Sequence, residues 1–327
     1  MSVRELLPGL LALCLGAAFA RGVEGVVGFN ALLVAIAVGF VVANTVGVPK
    51  RLEAGIATHG FWLAAGIVLM GASVTLGTVL ETGALVLAIV VCVSAGTILV
   101  VELLARNVFG ITGRLGSLLA AGSGICGVSA VVAVAGAIRA RENQIAYAAA
   151  TVLLFDAVTI VVYPLIGDLL GLSGTVFGVW AGVSMFSTGP VVAVGFTHSE
   201  LAGQWATMTK LARNALIGVV VLAYASYYAR SGGGSHPSAR TLLEEVPAFV
   251  LGFFALMVVA SAGLLSASQR AAIEELYGWL FLLAFVGLGT EIRLAELRRT
   301  GLLPAVVVLT ALVLVSTLSL AVLLAVF

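Results

Sequence analysis

Charge is what this sequence has least of. Asp, Glu, Lys and Arg together make up 9% of its 327 residues, while 61% are hydrophobic. A soluble globular domain carries roughly a quarter charged residues, so that class is excluded. Sixteen basic residues face fifteen acidic ones with no basic tract, which leaves no footprint for nucleic acid. Cysteine and histidine are equally sparse. Cys14, Cys92 and Cys126 lie inside apolar runs without any C-x-x-C spacing, and His59, His198 and His236 stand far apart, so neither a disulfide framework nor a metal site is expected. No P-loop is present, so no sequence signal supports the use of ATP. No apolar run supplies a Ser and His pair or a metal-binding cluster, so the chain does not read as an enzyme, and no cofactor is implied.

What is there instead is a succession of apolar runs of eighteen or more residues, each long enough to cross a hydrocarbon core of roughly 30 Å. The class is an all-α polytopic membrane protein, with the lipid bilayer as its solvent. A first run, Leu6 to Ala20, ends in Ala18-Phe19-Ala20 and so shares the marks of a cleaved signal. We read it as a retained extra helix over residues 1–27. Ten further spans follow at 28–46, 61–80, 83–105, 117–138, 145–170, 175–196, 207–229, 246–266, 274–290 and 302–326, about 11 transmembrane helices in all. The longest connection, 230–245, is rich in Gly and Ser and reads as a flexible loop.

The loop charges orient this arrangement. Arg4, Lys50, Arg51, Arg106, Arg114, Arg230, Arg240, Arg293, Arg298 and Arg299 fall on the N-terminal side. Arg21, Arg139, Arg141, Lys210, Arg213 and Arg270 fall on the other. The majority predicts a cytoplasmic N-terminus and an external C-terminus in the cell membrane.

One stretch departs from a regular span. In 117–138, SLLAAGSGICGVSAVVAVAGAI, the glycines at 122, 124 and 127 sit among Ser123, Cys126 and Ser129. Each glycine costs a helix roughly 0.8 to 1 kcal/mol relative to Ala. Freed backbone in a membrane is tolerated where it lines a cavity, so the stretch reads as an interrupted helix whose second half aims its N–H groups at an anion. The competing reading is that the small residues serve close helix packing. G-x-G-x-x-G is also spelled here, but no strand precedes it and no dinucleotide site follows.

With the first helix set aside, ten spans divide into two inverted five-helix repeats, 28–170 and 171–327. In that register the broken fifth span pairs with the tenth, whose Gly287-Leu288-Gly289-Thr290 is read as a matching interruption.

GSGICGVSAVVAVAGAIRA, YAAATVLLFDAVTIVVYPLIG, WAGVSMFSTGPVVAVG with the later TKLAR, and VGLGTEIRLAELRRTGLLP resemble, in that order and over nearly the whole chain, the YeiH family of sulfate exporters. The resemblance implies a relative of the bile-acid symporter and sodium/proton antiporter group, with inverted five-helix repeats and two crossing discontinuous helices. It also exposes departures. Where similar proteins carry a histidine and an acidic residue in the seventh span, this chain has Phe186 and Ser187, and the Glu that some carry in the fifth span is absent near Ala135 and Gly136. Asp156 stands in the sixth span instead.

Asp156 is the one acidic residue deep in a well-defined span, a placement costing about 2.5 to 3.5 kcal/mol unless it faces a cavity or partner. It is expected to couple transport to H⁺ or Na⁺, against the alternative of a packing hydrogen bond. The substrate site is expected at Gly122, Ser123, Gly124, Cys126, Gly127 and Ser129, with Ser184, Ser187 and Thr188 beside Gly189-Pro190, and Gly289 and Thr290. Lys210 and Arg213 are expected to attract the anion at an external mouth, or to snorkel to headgroups. The function that follows is secondary active transport of a small anionic solute, a sulfate-like oxyanion or organic acid, by alternating access. A cation/proton antiporter, an uncoupled anion channel and a non-transporting partner subunit are the alternatives, and a homo-oligomer is compatible with each.

Overall fold

The computed structural model describes residues 3–74, 76–111, 113–229, 248–297 and 301–327; the loop 230–245 and Arg298 and Arg299 lie outside them. The described residues are helical throughout, without a strand. Seven helices, by length and composition, are long and apolar enough to cross a membrane.

The chain forms two compact units. The first comprises Met1–Thr82 and Ala248–Leu294 and the second Gly83–Pro247 and Ala295–Phe327. Each therefore draws on both of the sequential halves into which the sequence was divided.

In the first unit lie α1 (Val3–Val27), α2 (Ala31–Thr45), α3 (Lys50–Ile56), α4 (His59–Met70), α13 (Ala248–Ser261) and α14 (Ala267–Glu291). Here α14 runs unbroken through Gly287, Gly289 and Thr290. The expected interruption of the tenth span is thereby corrected. Gly287 makes room for the His59 side chain, and Gly289 is there because backbones touch. A Cβ on Gly289 would lie 2.1 Å from the Ile36 carbonyl oxygen of α2, and one on Gly39 would lie 2.0 Å from that of Val286. Thr290 returns its hydroxyl to the Gly287 carbonyl, 2.7 Å away, so its polarity is spent on its own helix.

The second unit contains α5 (Leu76–Leu103) from Gly83 onward, continued by a π-helical turn at Leu104–Val108. Then come α6 (Gly113–Gly124), α7 (Val128–Ile138), α8 (Glu142–Leu169), α9 (Gly174–Ser184), α10 (Thr188–His198), α11 (Glu200–Asn214), α12 (Ile217–Ala229) and, after the short α15 (Leu294–Leu297), α16 (Leu302–Val326). Side-chain contacts fix which helix ends lie together. Ser117 of α6 donates to Glu102 of α5 (2.6 Å), as does Tyr224 of α12 (2.9 Å), so these three helices meet at one end of the unit. At the opposite end, His198 of α10 lies 3.0 Å from the Leu172 carbonyl oxygen and stacks on Phe177 of α9 at 4.1 Å. A Cβ on Gly174 would lie 2.9 Å from Ser199 Oγ.

The start of α9 and the end of α10 are thus neighbours, and the pair is a hairpin. The other interrupted element is a hairpin as well. A Cβ on Gly122 would lie 2.8 Å from Val131 Cγ2, which sets the two legs side by side. From the tip, α7 packs along α12 back toward the Glu102 end, where Arg139–Arg141 leads into α8. α8 then runs the full length to the His198 end. Legs of 11 or 12 residues are roughly 16–18 Å long, about half a hydrocarbon core.

The fifth and seventh expected spans are therefore two opposed hairpins, entering from opposite ends and meeting tip to tip, rather than crossing discontinuous helices. Two half-length apolar legs have the summed length and hydropathy of one span, which is why the sequence pattern reads as a crossing. The correction also returns Arg139 and Arg141 to the end that holds Arg106 and Arg114. Cysteine labelling tests it. In a chain with Cys14, Cys92 and Cys126 replaced, Arg114→Cys and Arg139→Cys should react with a membrane-impermeant maleimide from the same face, and Gly171→Cys from the other. A crossing helix would separate the first two.

Candidate functional site

The tips are built by chain breaks that a membrane interior would ordinarily penalise. α6 ends at Gly124, and Gly127, at φ +72°, reverses the chain with its N–H on the Gly122 carbonyl at 3.0 Å. A side chain is excluded there twice over, because the left-handed backbone strains it and a Cβ would lie 2.1 Å from Ser187 Oγ of the other tip. α9 ends at Ser184, Met185 turns extended at ψ 159°, and α10 starts after Ser187. Pro190 falls in the first turn of α10, where its missing N–H is not needed.

Each break leaves carbonyl oxygens at a helix C-terminus and N–H groups at an N-terminus. The carbonyls are met by two cations. Lys210 and Arg213, three residues apart on α11, are fully buried. Lys210 Nζ donates to the carbonyl oxygens of Ile125 (2.8 Å) and Met185 (3.1 Å), and to that of Phe186. Arg213 donates to those of Gly124 (2.7 Å) and Met185 (2.6 Å), and to that of Ser123. Neither residue lies at an external mouth, and neither reaches a headgroup. This corrects the expectation, and the reason is local: the carbonyl ends of α6 and α9 carry about half a negative charge each, and a buried cation is the group that satisfies them.

The N-termini are treated differently. Gly127 precedes α7 without a side chain, and Ser187 precedes α10 without making a side-chain cap. Asp156 of α8 meets one of these donors, its Oδ1 accepting the Ser187 N–H at 3.0 Å. Its Oδ2 is buried without a hydrogen-bond partner. Asn214 of α11 donates from Nδ2 to Thr188 Oγ1 at 3.0 Å, while its Oδ1 is buried and unpaired. Apart from the Ser187 N–H held by Asp156, the N–H groups that open α7 and α10 thus have no side-chain cap, and two unpaired acceptors stand beside them.

The expected residues divide accordingly. Gly127, Ser187 and Thr188 stand at the meeting of the tips, with Cys126 in the α6–α7 turn. Ser123 contributes its carbonyl. Gly122 and Gly124 lie within α6 and serve packing, against Val131, Val152 and Ile98. Ser129 is exposed in the first turn of α7. Ser184 is engaged with the Trp180 carbonyl and the Tyr163 hydroxyl (2.9 Å), so its polarity is already satisfied. Gly289 and Thr290 belong to the first unit. Asn214 is the residue the sequence did not single out. An amide four residues beyond Lys210 on one helix face was the available signal.

Among the described residues no group of three or more His, Cys, Asp or Glu gathers to hold a metal. The four dipole ends cancel, which leaves two cations against one carboxylate. The tips therefore carry an excess of positive charge.

Residues 8–308 match the family described as conserved hypothetical protein 698. The chain belongs to the YeiH family. Proteins named UPF0324 membrane protein resemble it along most of their length. One from Nitratidesulfovibrio vulgaris is 33% identical over 92% of this chain and 88% of its own. One from Corynebacterium glutamicum is 32% identical over 90% and 85%. One from Bacillus cereus is 31% identical over 83% and 79%. No solved structure matches the chain. At the positions where it departs from the YeiH pattern, Phe186 packs edge-on against Phe155 at 6.5 Å and Ser187 supplies the N–H held by Asp156.

Two outcomes are expected for thermal unfolding of the purified protein. Arg213→Leu strands the buried carbonyls of Ser123 and Gly124, each worth about 1–3 kcal/mol, while Met185 keeps Lys210, and should lower the Tm severely, with Arg213→Lys recovering part of the loss. Gly127→Ala should destabilise, and Ser187→Gly in the same chain should relieve the steric share, a coupling of about 0.5–3 kcal/mol.

Proposed function

We propose that the protein is a secondary transporter that binds a small anionic solute, a sulfate-like oxyanion or organic acid, between the tips of its two opposed hairpins, without catalysing a chemical reaction. The observation that carries this reading is the pair of adjacent, uncapped helix N-termini in a place where the fixed charges sum positive. Unpaired N–H groups at the ends of two helices favour an anion, and low dielectric strengthens the preference. Hairpins that enter from opposite ends also supply two barriers, one on each side of the site. Alternating access follows when one barrier loosens while the other stays closed.

Orientation is supported within the second unit alone. Arg106, Arg114, Arg139 and Arg141 lie at the end from which α6–α7 enters, and the described residues of the other end carry no Lys or Arg. By the positive-inside preference, α6–α7 enters from the cytoplasm and α9–α10 from outside.

Transport into proteoliposomes tests the reading. Sulfate, thiosulfate, phosphate and succinate should be screened by counterflow, and one of them should show saturable exchange. Thr188→Val, which keeps the shape but removes the hydroxyl, should weaken its affinity by about 3- to 30-fold through the loss of one hydrogen bond. Flux that does not saturate would instead identify a channel. Exchange that responds to Na⁺ and to no anion would identify a cation antiporter.

A further inference from the structure

Asp156 occupies a position that an anion would use. Its carboxylate holds the Ser187 N–H at 3.0 Å, one of the donors at the start of α10, and it lies beside the Gly127 turn that opens α7. A carboxylate there competes with an anionic solute in two ways: it takes up a donor, and it repels a like charge a few ångströms away. Yet it makes no ion pair among the described residues. Its buried Oδ2 accepts nothing, and the buried Asn214 Oδ1 also lacks a donor. A buried carboxylate with one hydrogen bond and one unsatisfied oxygen has a place for a proton.

Other titratable groups face the same region. From α11, Lys210 and Arg213 face the same region, but their donors are directed to five backbone carbonyls of the two tips. From the α6–α7 turn comes Cys126, and from α8 itself Tyr163, whose hydroxyl donates to Ser184 at 2.9 Å. α7 has no titratable residue. On α6 the only one is Arg114, in the first turn, and α10's only one, His198, is at the far end. α16, also packed against α8, contributes no titratable side chain.

We propose that Asp156 couples the anion to a proton by displacement: protonation frees the Ser187 N–H and removes the opposing charge, so that proton and anion bind together and cross in the same direction. This rests on the anion reading of the hairpin tips. The proton goes to the carboxylate and no bond other than O–H forms or breaks. With Asp156 neutral, the site holds two uncompensated cations, which suits a dianion. By linkage, whatever factor protonation adds to anion affinity, the anion adds to proton affinity. Like charges about 5 Å apart at an effective dielectric of about 20 make that factor on the order of 100-fold.

The test uses the full chain in detergent, with labelled sulfate as the probe and thiosulfate and succinate as competitors. Sulfate affinity should rise at least about tenfold between about pH 8 and about pH 5. A weakly buffered pH dye should register proton uptake, about one per anion bound. Asp156→Asn should bind sulfate at every pH with an affinity near the low-pH value of the wild type, and take up no proton. Saturable binding that is flat with pH and takes up no proton would overturn the coupling while leaving the anion site intact. Binding by none of the three anions at either pH, in protein that unfolds cooperatively, would overturn the site itself. Should Asp156→Asn fail to fold, the wild-type proton uptake still decides the matter.

Discussion

The second unit depends on a debt of backbone polarity placed where water cannot settle it. Two helices stop midway, leaving carbonyl and N–H groups that cost several kcal/mol each in hydrocarbon. Lys210 and Arg213 answer the carbonyl half, reaching from one face of α11 to both tips at once. That answer is itself costly, since two buried cations need full hydrogen bonding to be tolerated. It succeeds because the carbonyl ends present several acceptors in one small volume. The cations and the breaks are mutually necessary.

Helix packing brings the cations to that place. α11 lies against both legs of the α9–α10 hairpin, and this closeness requires residues without side chains. A Cβ on Gly178 would lie 2.5 Å from the Ala202 carbonyl oxygen, and one on Gly195 would lie 2.8 Å from Ala206 Cβ. Small-residue contacts of this kind replace the hydrophobic drive that lipid cannot supply. Packing therefore sets the distance between Lys210 and the tips, and the tips set what can bind between them. Of the N–H half, Asp156 meets the Ser187 donor.

An asymmetry follows between the two ends of each break. Carbonyl ends are satisfied by two buried basic side chains, Lys210 and Arg213. At the N–H ends the one side-chain acceptor is the Asp156 carboxylate, on the Ser187 N–H. The two roles meet on a single peptide unit at the second tip, where the Phe186 carbonyl accepts from Lys210 and the Ser187 N–H donates to Asp156.

Much of this was legible in the residues. Apolar runs and the scarcity of charge determined an α-helical membrane protein, the glycines at 122–127 marked an interruption, and a single deep acid, Asp156, marked a residue that reaches the second tip. The tertiary structure decided the rest. Hydropathy measures length and not direction, so two half-helices that turn back read as one that crosses. Gly287 and Gly289 look like a second interruption because glycine serves breaks and close contacts alike, and only the neighbouring helix, with Ile36 and Gly39 against Gly289, tells the two apart. Lys210 and Arg213 look like interfacial residues because span ends are where basic side chains usually lie. Their true partners are backbone atoms some 24 to 90 positions away in the chain, and carbonyl groups, being common to every residue, leave no trace in a sequence.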